Sequence, residues 1–206
     1  MQPIDIGVLT FWNTQNYGAA LQCFALTHAI ERLGRTVEVV RYRSHAIEGA
    51  EGLSSDVSNW TPKRLVKQAL FGRQMRARRL AFNDFQQKYL PLGVECGQND
   101  MDSASERYRK IVVGSDQVWN GGLTGNDTVF LLDFISDSSR KAAYAASVGS
   151  VAADDQNVSW LSPYISSFAR ILVREASAVG LVKSMAPEAD VEAVLDPTLL
   201  FDRAEW

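Results

Sequence analysis

Three short clusters in this sequence carry side chains able to do chemistry, and each follows directly on an apolar run. The first is Thr10 to Gln22, where Asn13, Asn16 and Tyr17 precede Gly18 and an apolar pattern of helical spacing. Free backbone N–H groups and the helix dipole at such a start favour an anion or a polar substrate. A plain turn with a capping amide is the alternative. The cluster matches neither GxGxxG nor GxxxxGK[ST], so it implies no dinucleotide and no nucleoside triphosphate. The second cluster is Gly114-Ser115-Asp116-Gln117-Val118-Trp119-Asn120, behind Ile111-Val112-Val113. A carboxylate and amides there could orient sugar hydroxyls while the indole covers the ring. Equally, Asp116 could cap the next element and Trp119 pack into the core. The third is Arg174-Glu175, behind Ile171-Leu172-Val173. A guanidinium at a strand end binds phosphate or carboxylate through its planar fork, or it forms a structural ion pair with Glu175 or another acid.

Other chemistries find little support. His28 falls inside the first helical pattern as a packing residue, and His45 opens a Gly/Ser-rich loop as a solvated one. No His/Cys/Asp spacing resembles a metal site, and no nucleophile elbow is present. Cys23 and Cys96 stand far apart without a CxxC pair, which suggests neither a disulfide framework nor a zinc ribbon. The amino terminus lacks the charged and apolar regions of a signal peptide, and no run of about 18 apolar residues appears. A cytoplasmic, reducing compartment is the expectation.

Charge is unevenly spread. The net charge of -3 excludes a generally cationic nucleic-acid binder. Yet Lys63, Arg64, Lys67, Arg73, Arg76, Arg78 and Arg79 occur with no acid between Asp56 and Asp84, a local charge of +7 against -10 elsewhere. A solvated helical face explains such a run most simply; contact with an anionic acceptor, or with an anionic membrane surface through residues 63–79, is the sharper reading.

The elements that must position these clusters follow from pattern. Residues 4–10 and 37–42 read as strands on either side of a helix from Gly18 to about Leu33, which Gly34 ends. This is a βαβ unit. Residues 44–61 read as an insertion loop, and 65–85 as a basic helical excursion off the sheet. The core resumes at Ile111, with further strands at 142–147, 171–173 and 191–195 and a helix from Trp160 to Phe168. Strands alternating with helices predict an α/β fold with a mostly parallel sheet covered on both faces, and 206 residues suffice for a sizeable core. The ligand crevice is expected outside the carboxyl ends of the strands, where the loops after Thr10, Val113 and Val173 meet. Leu195 to Phe201 reads as a strand edge and exit loop; the chain stops at Trp206 without a closing helix, and more protein is expected to follow.

In order and spacing, several of these stretches resemble the polysaccharide pyruvyl transferase family. They are Ile6 to Phe11 with Asn16 to Gln22, Ile111 to Asn120, Ala143 to Gly149, Val173-Arg174-Glu175 with Ser177, and Val194 to Leu200. Leu172 stands where the family usually has serine, and Ala178 where glycine is common. The resemblance implies a Rossmann-like amino-terminal domain over residues 1–206, with an insertion at about 44–90, similar to one half of a GT-B glycosyltransferase. The second domain would lie outside this chain, and the isolated chain would be inactive.

Further implications concern the reaction. The co-substrate would be phosphoenolpyruvate, with no resident cofactor and no metal, and the acceptor a saccharide or lipid-linked glycan in exopolysaccharide or cell-wall synthesis. Arg174 would bind the donor, and Asp116 is the one catalytic candidate in this half. Asn13, Asn16, Tyr17, Ser115, Gln117, Trp119 and Asn120 would line the acceptor side. Location would be cytoplasmic, at or near the inner membrane face. A GT-B nucleotide-sugar glycosyltransferase and a non-catalytic glycan- or partner-binding module are the rival readings.

Overall fold

A computed structural model describes residues 3–50, 62–149 and 156–206. The strands are β1 (Ile4–Leu9), β2 (Val37–Tyr42), β3 (Leu92–Cys96), β4 (Tyr108–Val113), β5 (Lys141–Ala146), β6 (Arg170–Val173) and β7 (Val191–Ala193). The helices are α1 (Tyr17–Arg32), α2 (His45–Ala50), α3 (Pro62–Tyr89), α4 (Met101–Ser105), α5 (Gly121–Thr124), α6 (Gln156–Ser159), α7 (Ser162–Ile165) and α8 (Ala176–Met185).

All seven strands pair in parallel, in the order β3-β2-β1-β4-β5-β6-β7. From β1 the chain builds outward to β3, returns to the centre at β4, and builds outward the other way. Crossovers of one hand then place helices on opposite faces of the two halves, the Rossmann-like arrangement. Adjacent residues of β1 show the consequence. Val8 packs with Leu26 of α1 and with Val37, whereas Leu9 points into the larger cluster containing Ile111, Ile171 and the α8 residues Leu181 and Val182. Ile111, Val113, Ile171 and Val173 have no exposed surface, and each contributes roughly 1.5–3 kcal/mol by burial.

α1 forms where the pattern places it. Asn16 caps it, no proline interrupts it, and Cys23 and Leu26 face the sheet. It stops at Gly34, whose φ of +73° suits glycine and whose N–H donates to the Glu31 carbonyl at 2.8 Å.

Several expectations need correction. The long basic helix is no excursion off the sheet: α3 is the crossover between β2 and β3, so a strand precedes the one at Ile111. Part of the expected 44–61 loop is helical, as α2, while 51–61 lies outside the described residues. The side chains of Lys63, Arg64 and Lys67 lie outside them too. The helix expected from Trp160 to Phe168 shrinks to α7, which begins at Ser162 with Pro163 in its first turn.

Candidate functional site

The strand order reverses between β1 and β4, and there the loops leave in opposite directions and open a crevice. The β4 loop forms one wall. Gly114 takes φ +107°, and a Cβ on it would lie 2.3 Å from the Tyr144 carbonyl oxygen, so the chain can pass β5 this closely only with glycine. Asp116 follows in a left-handed conformation, φ 81°. Its Oδ1 accepts the Gln117 N–H at 2.8 Å, and its carbonyl accepts the Ser147 N–H at 2.9 Å. Burial pushes the Asp116 carboxyl above the ordinary aspartate range; the Gln117 N–H and the Arg174 charge pull it down, and Asp196 pushes it up.

Arg174 sits where β6 ends. Its backbone N–H donates to the Ala146 carbonyl at 3.1 Å. Its Nε donates to Glu175 Oε1 at 3.1 Å and its Nη1 to Asp196 Oδ2 at 3.5 Å. These contacts engage two of five guanidinium N–H groups, and the side chain remains 28% exposed. Both carboxylates are themselves held. Ser147 Oγ donates to Glu175 Oε1 at 2.6 Å, and Ser115 Oγ donates to Asp196 Oδ2 at 3.1 Å. Glu175 Oε2 is buried without a hydrogen-bond partner. Loops after β4, β5, β6 and β7 thus converge on one guanidinium. Ser147, Glu175 and Asp196 were not among the expected site residues.

The other expected residues divide. Ser115 is buried: its N–H donates to Gln22 Oε1 at 3.1 Å, and its carbonyl accepts from Thr10 Oγ1 at 2.8 Å. Gln117 and Asn120 pair with each other at 2.8 Å beneath Gly149, where a Cβ would lie 2.7 Å from Asn120 Nδ2. Trp119 has no exposed surface. Its Nε1 donates to the Phe130 carbonyl at 3.1 Å and its ring meets Phe168 edge-on, so the indole belongs to the core. Asn16 Oδ1 accepts the Gly18 and Ala19 N–H groups, which makes it the α1 cap. Asn13 donates to Glu48 at 3.1 Å. Tyr17 is exposed and stacks on Phe82 of α3.

Both histidines lie apart from this cluster. His28 stacks on Phe24 within α1, and His45 is exposed at the start of α2. Among the described residues no group of His, Cys, Asp and Glu could hold a metal ion, and no helix is long and apolar enough to cross a membrane.

Comparison with known proteins adds one match. No curated protein and no solved structure matches. A family model described as polysaccharide pyruvyl transferase matches residues 16–206, which takes in the α1 cap, the β4 loop and every residue of the Arg174 cluster. On that match, which runs over nearly the whole sequence, the chain belongs to the polysaccharide pyruvyl transferase family.

Proposed function

We propose that this chain forms one wall of the active site of an enzyme that moves pyruvate from phosphoenolpyruvate onto a saccharide, closing a ketal across two hydroxyls. Arg174 carries the reading: it is a partly exposed guanidinium held at the carboxyl end of β6, on which polar groups from the loops after β4, β5, β6 and β7 converge. A proton added to the methylene carbon of phosphoenolpyruvate makes C2 electrophilic. One sugar hydroxyl adds there and loses its proton; a second displaces phosphate and closes the ring. Such a site needs cations for phosphate and carboxylate, an acid, and acceptors for two hydroxyl protons.

Within this half, Arg174 takes the donor's anionic end and Glu175 and Asp196 fix its orientation. Asp116, kept more protonated than an ordinary aspartate by burial, stands beside it to accept from a sugar hydroxyl or pass a proton. One guanidinium among three carboxylates is a net negative group. A polyanionic donor therefore requires further cations from an opposing wall, as in a GT-B-like pair of domains, and residues 1–206 alone should not turn over.

The test is phosphate release from phosphoenolpyruvate by the two-walled enzyme in the presence of a saccharide. Arg174→Lys keeps the charge and loses the fork, and should lower kcat/KM for the donor by about 1.5 to 3 kcal/mol. Turnover of a sugar nucleotide but not phosphoenolpyruvate would point instead to a glycosyltransferase. Glycan binding without any turnover would leave a binding module.

A further inference from the structure

β5 carries one residue more than its pairing with β6 requires. Ala143 pairs with Ile171 and Ala146 with Val173, so three steps along β5 match two along β6. The extra residue is absorbed at Ala145, which takes φ 48°, a left-handed conformation that strains a residue with a Cβ. Such a bulge re-aims the side chains beyond it. Here the side chain beyond it is Ser147, drawn level with Arg174, whose N–H donates to the Ala146 carbonyl at 3.1 Å.

Ser147 has no exposed surface and uses each of its polar groups. Its N–H donates to the Asp116 carbonyl at 2.9 Å and its carbonyl accepts the Trp119 N–H at 3.1 Å, which ties down the loop after β4. Its Oγ accepts the Gly149 N–H at 3.0 Å and donates to Glu175 Oε1 at 2.6 Å. The last bond matters most. Glu175 stands at the N-cap of α8, yet its side chain caps none of that helix's N–H groups. Its Oε2 is without a partner, so Oε1 alone carries the bonds of this carboxylate. Among the described residues Oε1 has two donors, the Arg174 Nε–H that it orients and the Ser147 hydroxyl. Only the hydroxyl is anchored independently of the guanidinium.

We propose that Ser147 is a positioning residue: through Glu175 it sets the direction of the Arg174 fork, and through its backbone it holds that fork in register with Asp116. The role rests on Arg174 as the donor-binding group, as in the function proposed above. Without the hydroxyl, the Glu175 carboxylate keeps only the bond to the side chain it is meant to steer. The remaining contact of Arg174, to Asp196 at 3.5 Å, is too long to hold the fork alone. An arginine loses much rotamer freedom when its fork is fixed, and a donor that meets the fork already oriented is spared that cost. Ser147→Ala removes the hydroxyl and leaves both backbone bonds, so Asp116 keeps its place while Arg174 loses its direction.

Two readouts test this. Nitrogen-15 NMR follows the Arg174 Nε–H of the chain, identified by its loss in Arg174→Lys, and needs no donor. Its exchange with water should quicken on the order of tenfold in Ser147→Ala, matching the loss of one hydrogen bond to a charged group. Ser147→Cys keeps the volume of the buried site but is too weak a donor to hold the carboxylate, so it should show the same change should the alanine variant fold poorly. In the two-walled enzyme, Ser147→Ala should raise the donor KM by about tenfold and the acceptor KM by less than about twofold. Ser147→Ala combined with Glu175→Ala should be no worse than Glu175→Ala alone, whereas independent effects would multiply. Unchanged exchange in both serine variants overturns the inference. So does an equal rise in the two KM values, or multiplication in the double variant. If a sugar nucleotide turns over and phosphoenolpyruvate does not, the proposed function fails, while Ser147 stands or falls on the exchange of the Arg174 proton.

Discussion

The two banks of the crevice are built from similar residue types and use them differently. On the β1 bank, the polar groups are spent on the fold: Asn16 closes the end of α1, Asn13 holds Glu48, and Gln22 ties Thr10 to Ser115. On the β4-to-β7 bank, polar and charged groups from four loops gather around one guanidinium, and a buried carboxylate oxygen of Glu175 remains without a partner. A polar residue at a strand end is thus weak evidence of a site. What separates the banks is whether the polar atoms are consumed by backbone caps or left converging on each other.

The largest expected effect breaks the comparison within one loop. Trp119 belongs by sequence to the active bank, yet it is enclosed by the core and bonded to Phe130. Trp119→Ala should therefore cost about 3–5 kcal/mol of unfolding free energy. Chemical denaturation measures this; a loss under about 1 kcal/mol would return the indole to the candidate ligand set.

Next comes Arg174→Ala, the sharpest contrast between the banks. Loss of two charge-assisted contacts to a donor should lower kcat/KM for phosphoenolpyruvate by about 3 kcal/mol or more. Apo stability should change by less than about 1 kcal/mol, because the ion pairs are partly exposed. A drop of about 3–5 kcal/mol in stability with donor binding intact would make Arg174 a structural ion pair instead.

How much of this was legible in the sequence depends on what each feature rests on. The alternation of apolar runs with helical periods reveals the parallel sheet, and the β1, β4 and β6 loops follow from it. β3 escaped because Leu92 to Cys96 is an edge strand: Gly93 and the exposed Val94 and Glu95 break the apolar run that marks a buried strand. Without β3, a crossover helix looks like an excursion. Arg174 stood out because it follows a buried strand directly. Its partners did not, since Ser147 and Asp196 lie 27 and 22 residues away and only the sheet order brings their loops together. Asp196 before a proline also reads as an ordinary cap, which it is as well, accepting the Thr198 N–H at 3.0 Å.

On the β1 bank the corresponding test is smaller. Asn16→Ala removes the acceptor for the Gly18 and Ala19 N–H groups and should cost about 1 kcal/mol in stability, leaving donor kinetics unchanged. A fall in kcat/KM without a fall in stability would show that this bank, too, meets substrate.

The smallest effect lies on the pH axis and asks what governs Asp116. Burial raises its pKa above 3.8, with a small push from Asp196, while the Gln117 N–H and then the Arg174 charge lower it, and burial is the largest influence. The native state then binds the proton more tightly than the unfolded chain does. By linkage, Asp116 contributes a penalty that is absent below 3.8, grows as pH rises toward the native value, and is complete above it. Asn in its place cannot ionise, keeps an oxygen for the Gln117 N–H, and tolerates the left-handed backbone. Asp116→Asn should accordingly be slightly more stable than the parent at neutral pH, with the difference closing as the solution is acidified below 3.8. Melting temperatures of the two proteins across that range measure it. If the variant were instead less stable at neutral pH and caught up with the parent on acidification, the Gln117 N–H and the Arg174 charge would together outweigh burial. Asp116 would then be an ordinary ionised carboxylate, with no proton to pass.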